Sequence, residues 1–429
     1  MSRASGTAPG TEEHRAPELG PSGTAAPALL VAFPRPLVLD VPPSGVALGR
    51  DWLASSGVSD TRVSGEHLRF TKSGGGFWVE DTGSRNGTWL DGHRLTPGEQ
   101  ARLADGSILR MGRTLLVYRQ ELLGPRMALP PVGELAGPFG LRTVSELLEA
   151  IGRRPPRCVL VEGETGTGKE LVAQAVAHAV RPNRPFVAIN IAGIAAGVFE
   201  SQLFGHVAGA FSGSGRGSRG LIAAHEGGVV FLDELGELPL DLQPKLLRFL
   251  ENGELLPVGA DRPLQADVVV VAATNRNVEQ MVADGTFRRD LYARLAVACI
   301  ELPPLRERVE DIFAVACALA QRRGESFDTS LVDVEAVERL MLHDWRSNVR
   351  ELAAVLERVA GIEPPPALHL AAVTRVLGAV PSRRSGALTR ERVEAALQTC
   401  AGNQSQAARY LGVSRGQLLR FMRSAGLGG

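Results

Sequence analysis

The sequence predicts a chain of three folded parts: a β-sandwich, a doubly wound parallel α/β P-loop core, and a small all-α segment with a helix-turn-helix pattern. Three observations predict this. The β-branched run Val159-Leu160-Val161 leads into the Gly-rich loop Gly163-Glu164-Thr165-Gly166-Thr167-Gly168-Lys169-Glu170, and helical spacing follows at Leu171, Val172, Ala175 and Val176. Between Leu37 and Tyr118, short β-type runs are broken by turn residues about every eight to twelve positions, the spacing of a sandwich. Near the C-terminus, two short helical patterns flank the turn Gly412-Val413-Ser414.

The strand-loop-helix order gives the P-loop its meaning. Glycines let backbone N–H groups turn inward around phosphates, the helix N-terminus adds positive potential, and Lys169 reaches the β and γ oxygens. The consensus ends in Lys followed by Ser or Thr, whose hydroxyl helps hold Mg²⁺; Glu170 stands there, so metal binding falls to other groups. The strand Val229-Val230-Phe231-Leu232 ends in Asp233-Glu234, where Asp233 suits Mg²⁺ and Glu234 suits polarising the attacking water. A further strand over 267–275 ends at Asn275, which reads equally well as a γ-phosphate sensor or as a turn former. Between these motifs lies Leu203-Phe204-Gly205-His206, then Gly209-Ala210-Phe211-Ser212-Gly213-Ser214. An aromatic residue in a Gly- and Ser-rich hairpin calls for a contact partner.

With these residues on the page, 134–378 resembles the AAA+ ATPase domain of bacterial enhancer-binding proteins, the activators of sigma-54 RNA polymerase. Their surface loop usually reads Gly-Ala-Phe-Thr-Gly-Ala, and further marks match in order: Phe186-Val187-Ala188-Ile189-Asn190, Phe287 to Arg294, Leu302 to Arg308, and Asn348 to Leu352. The resemblance implies an α/β subdomain over 134–303 and a helical lid over 304–378. It implies that Asn190 holds Glu234 from water until the loop is engaged, that Arg288 and Arg294 are arginine fingers in a neighbour's site, and that Arg350 senses nucleotide from the lid. Fingers in trans imply an oligomer, a hexamer in this family. Without the motif, Arg288, Arg289, Arg306 and Arg308 read as a solvated face or as surface ion pairs. Two departures stand out. Ser212 and Ser214 replace Thr and Ala, and Trp345-Arg346-Ser347-Asn348 stands where Pro-Gly usually precedes Asn.

Residues 1–27 have the composition of a disordered tail. The sandwich follows over 28–120, with 121–133 as linker. Its marks Gly49-Arg50, Ser64-Gly65-Glu66-His67 and Asp81 to Thr88 resemble the forkhead-associated (FHA) domain, whose end loops bind phosphothreonine peptides. The resemblance implies that Arg50 and Ser64 contact the phosphate, Asn86 holds the peptide backbone, Arg85 assists, and His67 braces the Ser64 loop from inside. A dianion needs a guanidinium with hydroxyl and backbone donors. Asn86-Gly87 by itself is also an ordinary hairpin turn.

After a linker at 379–387, residues 388–429 resemble the Fis-type helix-turn-helix end of the same activators. Ser414 caps the last helix, and Arg415, Gln417 and Arg420 are candidates for DNA contact, while Leu418 and Phe421 pack inward. From Arg383 onward, eight basic residues face two acidic ones, whereas the whole chain carries 47 of each sign.

The 429 residues, 44% apolar, suffice for an ATPase core and two small domains. Cys158, Cys299, Cys317 and Cys400 form neither a disulfide framework nor a metal spacing, which fits a reducing cytoplasm. No run is long and apolar enough for a membrane. The expectation is an ATP- and Mg²⁺-dependent activator that binds enhancer-like DNA, remodels sigma-54 holoenzyme, and takes its input from a threonine phosphorylated by a Ser/Thr kinase. The altered loop motivates an alternative, a phosphopeptide-controlled DNA-binding regulator or scaffold whose ATPase does not couple to polymerase. An unrelated AAA+ machine would not need the Leu203 to Ser214 segment.

Overall fold

The computed structural model of the protein describes residues 25–211, 215–378, 390–399, 404–411, 418–419, 421–422, 425 and 427. Ser212, Gly213, Ser214, Ser414, Arg415, Gln417 and Arg420 lie outside the described residues, as do most of the expected tail and the 379–387 linker. From residue 25 on, the described residues divide into two compact units, one made of 142–163 with 168–302, the other of 25–141, 164–167 and the described residues from 303 onward.

The N-terminal part is a sandwich. Its elements are β1 (Ala26–Phe33), β2 (Leu37–Asp40), β3 (Ala47–Leu48), α1 (Arg50–Ser55), β4 (Leu68–Ser73), β5 (Gly76–Asp81), β6 (Thr88–Leu90), β7 (His93–Arg94), β8 (Gln100–Leu103), β9 (Ile108–Met111) and β10 (Thr114–Leu122). One sheet has the order β2-β1-β10-β9-β6-β7 and the other β3-β4-β5-β8. β1 starts inside the expected tail because Ala26 pairs with Leu122 of β10.

The α/β unit contains α2 (Arg142–Arg153), β11 (Cys158–Gly163), α3 (Lys169–Val180), β12 (Phe186–Asn190), α4 (Phe199–Phe204), α5 (Gly220–Ala224) and β13 (Val229–Asp233). It continues through α6 (Gln243–Asn252), the small pair β14 (Glu254–Leu255) and β15 (Leu264–Gln265), then β16 (Val269–Thr274), α7 (Val278–Ala283), α8 (Arg289–Leu295) and β17 (Cys299–Leu302). Five strands in the order β12-β13-β16-β11-β17 make a wholly parallel sheet. Such strands are covered on both faces and so read as unbroken apolar runs, as 229–232 and 268–273 do. Leu160, Val230, Leu232 and Val270 pack with Leu246, Phe249, Leu291 and Leu295.

The lid comprises α9 (Ile312–Arg322), α10 (Val334–Met341), α11 (Asn348–Ala360) and α12 (Leu370–Leu377). In the C-terminal segment, α13 (Arg390–Thr399) and α14 (Gln404–Leu411) join Leu418 and Met422 in a small core of their own, with Phe421 packed against it.

The sandwich and the lid share one core. Along β1, Leu29 and Val31 face the sandwich interior, whereas Ala28, Leu30 and Ala32 belong to the core that contains Ile312, Phe313, Val337 and Leu340 of the lid. β10 divides in the same way, with Leu116 and Tyr118 on one side and Leu115 and Val117 on the other. Phe33 meets the Phe313 ring edge-on at 5.0 Å. Side chains alternate across a strand, so a strand apolar at every position needs cover on both faces; α9 and α10 supply the second cover. Leu30→Ala removes a wholly buried side chain from the lid-facing side. We expect a loss of about 2–5 kcal/mol in denaturant unfolding and faster amide exchange in β10 and α10 together.

Candidate functional site

The parallel sheet brings the acids of the α/β unit to one edge. β11, β12, β13 and β16 all run the same way, so Gly163, Asn190, Asp233 and Thr274 share their C-terminal ends, the edge where open α/β sheets bind ligands. Asn190 is the direct register partner of Asp233. Glu234 follows in the left-handed region at φ 57°, its N–H donating to Asp233 Oδ1 at 3.0 Å. A non-glycine residue is uncommon there, and such conformations concentrate at functional positions. Asn275 is exposed, one residue beyond β16. Lys169, buried at the start of α3, donates through Nζ to the Gly163 carbonyl at 3.0 Å, and Gly168 before it has φ 107°. Glu170 is exposed in the first turn of α3.

Neither expected finger is bonded to these strand-end groups. The exposed Arg288 makes two bonds to the Asp290 carboxylate, at 3.0 and 2.7 Å, which hold its pKa up. Arg294 donates to the Leu250 carbonyl at 3.1 and 3.3 Å. Its charge also acts on the Cys158 thiol, which burial pushes up to about 12 against the opposing pull of Arg294. Cys158 opens β11 and Gly163 closes it, so Arg294 acts at the end of β11 away from the P-loop.

The P-loop segment 164–167 is fastened to the lid. Arg306 makes a two-pronged pair with the Glu164 carboxylate at 2.5 and 2.7 Å. Asn348, fully buried at φ 55°, donates to Glu164 Oε2 and to the Thr165 carbonyl, both at 3.1 Å, and accepts from Leu305 N–H at 2.8 Å. Val349 N–H donates to the Gly166 carbonyl at 2.9 Å. Gly166 is required twice over: its φ is 78°, and a Cβ would lie 2.3 Å from the Ser347 carbonyl and 3.0 Å from Arg350 Cβ. Arg350 therefore stands beside the P-loop. Arg306, half-buried, is ion-paired with Glu164, as the surface-ion-pair reading of this stretch allows, whereas Arg308 is buried and is no solvated face. Arg308 is 1% exposed, donates to the Thr167 carbonyl at 3.3 Å, and leaves Nε and Nη1 without a protein partner. Close to it, Asp311 accepts from the N–H groups of Phe139 and Gly140 at 2.9 Å, and burial pushes its pKa up to about 7. Asn348 and Arg306 appear in the sequence only as motif letters; their grip on Glu164 has no local signal.

At the sandwich end, the predicted residues gather around two loops. Arg50 is exposed, and its N–H donates to the Ser64 carbonyl at 2.9 Å; Ser64 Oγ accepts from Arg85 N–H at 3.1 Å. Asn86 Nδ2 donates to the Arg62 carbonyl at 2.6 Å. His67, with no exposed surface, accepts from Ser64 N–H through Nδ1 at 3.0 Å and meets the Gly87 carbonyl through Nε2 at 3.1 Å. Those roles fix the neutral Nε2–H tautomer, and burial lowers the ring pKa although the Gly87 carbonyl and nearby Asp81 oppose it. Three residues of this site were not foreseen in these roles. Gly49 is obligatory because a Cβ would sit 1.5 Å from the Gly65 carbonyl. Asp81 accepts from the Gly83 and Ser84 N–H groups and the Ser84 and Thr88 hydroxyls at 2.7–2.9 Å; burial works against the carboxylate, but these bonds win and its pKa is lowered. Asp60 ties Arg62 N–H to Arg113 N–H.

The hairpin carrying Phe211 is closed at its base by mutual backbone bonds between His206 and Ser218, at 2.9 and 2.8 Å. The His206 ring bonds the Ser201 hydroxyl at 2.8 Å and the Arg216 carbonyl at 3.0 Å. Phe211 is 43% exposed, its ring 5.1 Å from that of His206. Gly209, exposed, and Ala210, half-buried, precede it.

Residues 140–301 match the model of the sigma-54 interaction domain, 306–386 the AAA+ ATPase lid domain, 46–112 the FHA domain, and 389–423 the Fis family of bacterial regulatory proteins. The DNA-binding transcriptional regulator NtrC of Rhizobium meliloti is 46% identical over 208 residues, 48% of this chain and 43% of that one. The regulatory protein LuxO of Vibrio cholerae is 38% identical over 288 residues, 62% of this chain and 63% of that one. The chain thus spans less than two thirds of these relatives' length. Among solved structures, NtrX from Brucella abortus is 27% identical, with 68% of this chain and 69% of that chain covered and a TM-score of 0.49. The ordered motifs, the parallel P-loop sheet and four matched family models converge: the chain carries a sigma-54 interaction domain with an AAA+ lid, an FHA domain before them and a Fis-type segment after, and is similar over its ATPase region to DNA-binding transcriptional regulators.

Proposed function

We propose that this regulator uses ATP hydrolysis to remodel sigma-54 RNA polymerase from an enhancer-like DNA site, under control of a phosphothreonine ligand. The observation that carries the reading is the placement of Asn190 beside Asp233-Glu234 at the strand ends where β11 passes into the P-loop. Lys169 would pair with the β and γ oxygens, and Asp233 would hold the Mg²⁺ that neutralises developing charge. Glu234 would polarise the attacking water. Asn190, on the neighbouring strand, supplies an amide able to hold that carboxylate aside. Arg294 acts at the end of β11 away from the P-loop, a placement that suits a guanidinium offered to the phosphates of a neighbouring copy in a ring.

Phe211, partly exposed on a hairpin with a hydrogen-bonded base, would be the contact to sigma-54. The Fis-type segment would hold DNA, and Arg50, Ser64, Arg85 and Asn86 would take the phosphothreonine. A second reading keeps the ATPase and the DNA and phosphopeptide contacts but drops the coupling to polymerase. It rests on Ser212 and Ser214, where the family has Thr and Ala. Losing the Thr methyl removes an apolar contact of about 0.8 kcal/mol if buried.

Mixing the full chain with sigma-54, ADP and a metal fluoride separates the two. The activator yields a stable complex that Phe211→Ala abolishes; vigorous hydrolysis without a complex favours the scaffold. Glu234→Ala is expected to keep ATP binding while turnover drops on the order of 10²–10⁴-fold, and unchanged turnover refutes the assignment. Arg50→Ala should erase the preference for phosphorylated over unphosphorylated threonine peptides in a titration of the full chain. A wild-type protein without that preference removes the phosphothreonine input altogether.

A further inference from the structure

The FHA sheet does more than share a core with the lid. Three arginines cross from the sandwich into the lid, and two of them connect to the loops of the phosphothreonine site. Arg110 on β9, nearly buried, donates through Nε to Glu338 Oε2 at 2.7 Å and through Nη1 to Glu335 Oε1 at 3.0 Å, both acids on α10. Its guanidinium lies 3.7 Å from the Trp89 ring centroid, and Trp89 is its register partner on β6. β6 begins immediately after Asn86-Gly87. On the opposite side of Trp89 lies Arg94, whose guanidinium also packs where a Gly87 Cβ would point.

The second connection starts at the Ser64 loop. Asp60 holds Arg62 N–H with one oxygen and Arg113 N–H with the other, and Arg113 Nη2 donates to the carbonyls of Thr329, Ser330 and Val332 just ahead of α10, at 2.7, 3.2 and 3.1 Å. The third arginine, Arg119, clasps Glu310 at 3.0 and 2.5 Å and the Glu307 carbonyl at 2.6 Å. Both connections that begin at the phosphothreonine loops converge on α10. Its C-terminal side leads through Leu342 and Trp345 to Ser347 and Asn348, the residues that abut Gly166 and bond Glu164 and Thr165. Trp345 is locked to α10 by its Nε1–H bond to the Leu340 carbonyl at 2.8 Å.

We propose that the FHA domain is a rigid extension of the lid rather than a tethered module. Phosphothreonine bound by Arg50, Ser64 and Asn86 acts on the nucleotide through Trp89, Arg110 and Glu338 and through Asp60 and Arg113, so that peptide and nucleotide affinities are reciprocally coupled. This rests on the phosphothreonine reading of the site above. The physical basis is that packed, charge-paired elements have few intermediate arrangements. A ligand that orders the 62–64 and 85–87 loops therefore favours one setting of α10 over another.

Thermodynamic linkage supplies the test. On the full chain, the dissociation constant of a slowly hydrolysed ATP analogue is measured with and without a phosphothreonine peptide selected from a degenerate library. The dissociation constant of the peptide is measured with and without the analogue. The wild type should show the same factor both ways, of about fivefold or more. In Glu338→Gln and Arg113→Gln each ligand alone still binds, and the factor falls toward one; should Glu338→Gln fail to fold, the more exposed Arg113→Gln carries the comparison. Selective peptide binding with no effect on the analogue overturns this inference and leaves the phosphothreonine reading intact. Absence of any phosphothreonine preference overturns both, and a factor undiminished in the variants overturns the route through these contacts.

Discussion

Burial of β1, β9 and the first half of β10 on both faces of the six-stranded FHA sheet is the constraint on which the second compact unit depends. A sandwich sheet ordinarily turns one face to water, and its strands then alternate apolar and polar residues. Here Ala28 to Phe33 and Leu115 to Val117 are apolar throughout, and all are nearly inaccessible. Each large side chain removed from water contributes about 1.5–3 kcal/mol. Exposing the outer face would therefore forfeit several such contributions at once and leave an apolar patch of the kind that drives aggregation.

The charges at this junction follow from the same burial. Arg110, Arg119 and Glu310 lie where an uncompensated ion would cost about 3–5 kcal/mol, and each is paired with good geometry. Such pairs add specificity of register more than net stability: an apolar surface alone tolerates sliding, whereas a guanidinium between two carboxylates admits one seating. Arg110 is further confined by the Trp89 face. The 62–64 and 85–87 loops and α10 thus meet through groups with defined geometry rather than through a flexible connection.

The nucleotide-binding side shows a related economy. The P-loop segment 164–167 groups with the lid, while Gly163 and Lys169 on either side belong to the α/β unit. Asn348 reaches Glu164 and Thr165 because its backbone adopts a left-handed conformation that asparagine tolerates better than most residues. Trp345, also at positive φ, is held by burial and by its indole bond. Asn348 N–H donates to the Trp345 carbonyl at 2.9 Å, closing the turn over Arg346 and Ser347 where the family pattern has Pro-Gly.

Local pattern was enough for the elements and for the chemistry carried by contiguous motifs. The apolar run before Gly163 can only be a covered strand, Gly166 and Gly168 supply the positive φ values a phosphate loop needs, and Asp233-Glu234 closes a strand of the same sheet. The alternation of short runs and turns likewise marked a sandwich between Leu37 and Tyr118, whereas the start of β1 at Ala26 falls in the stretch whose composition reads as a tail. What tertiary structure alone decided are the contacts between residues far apart in sequence: Asn190 beside Asp233 through strand register, Glu164 in the grip of Arg306 and Asn348, Gly49 against Gly65, and Arg110 on Glu338. The physical reason is the same in each case. Periodicity reports whether a face is buried, but which element buries it, and which charge meets which, depends on the order in which strands and helices pack.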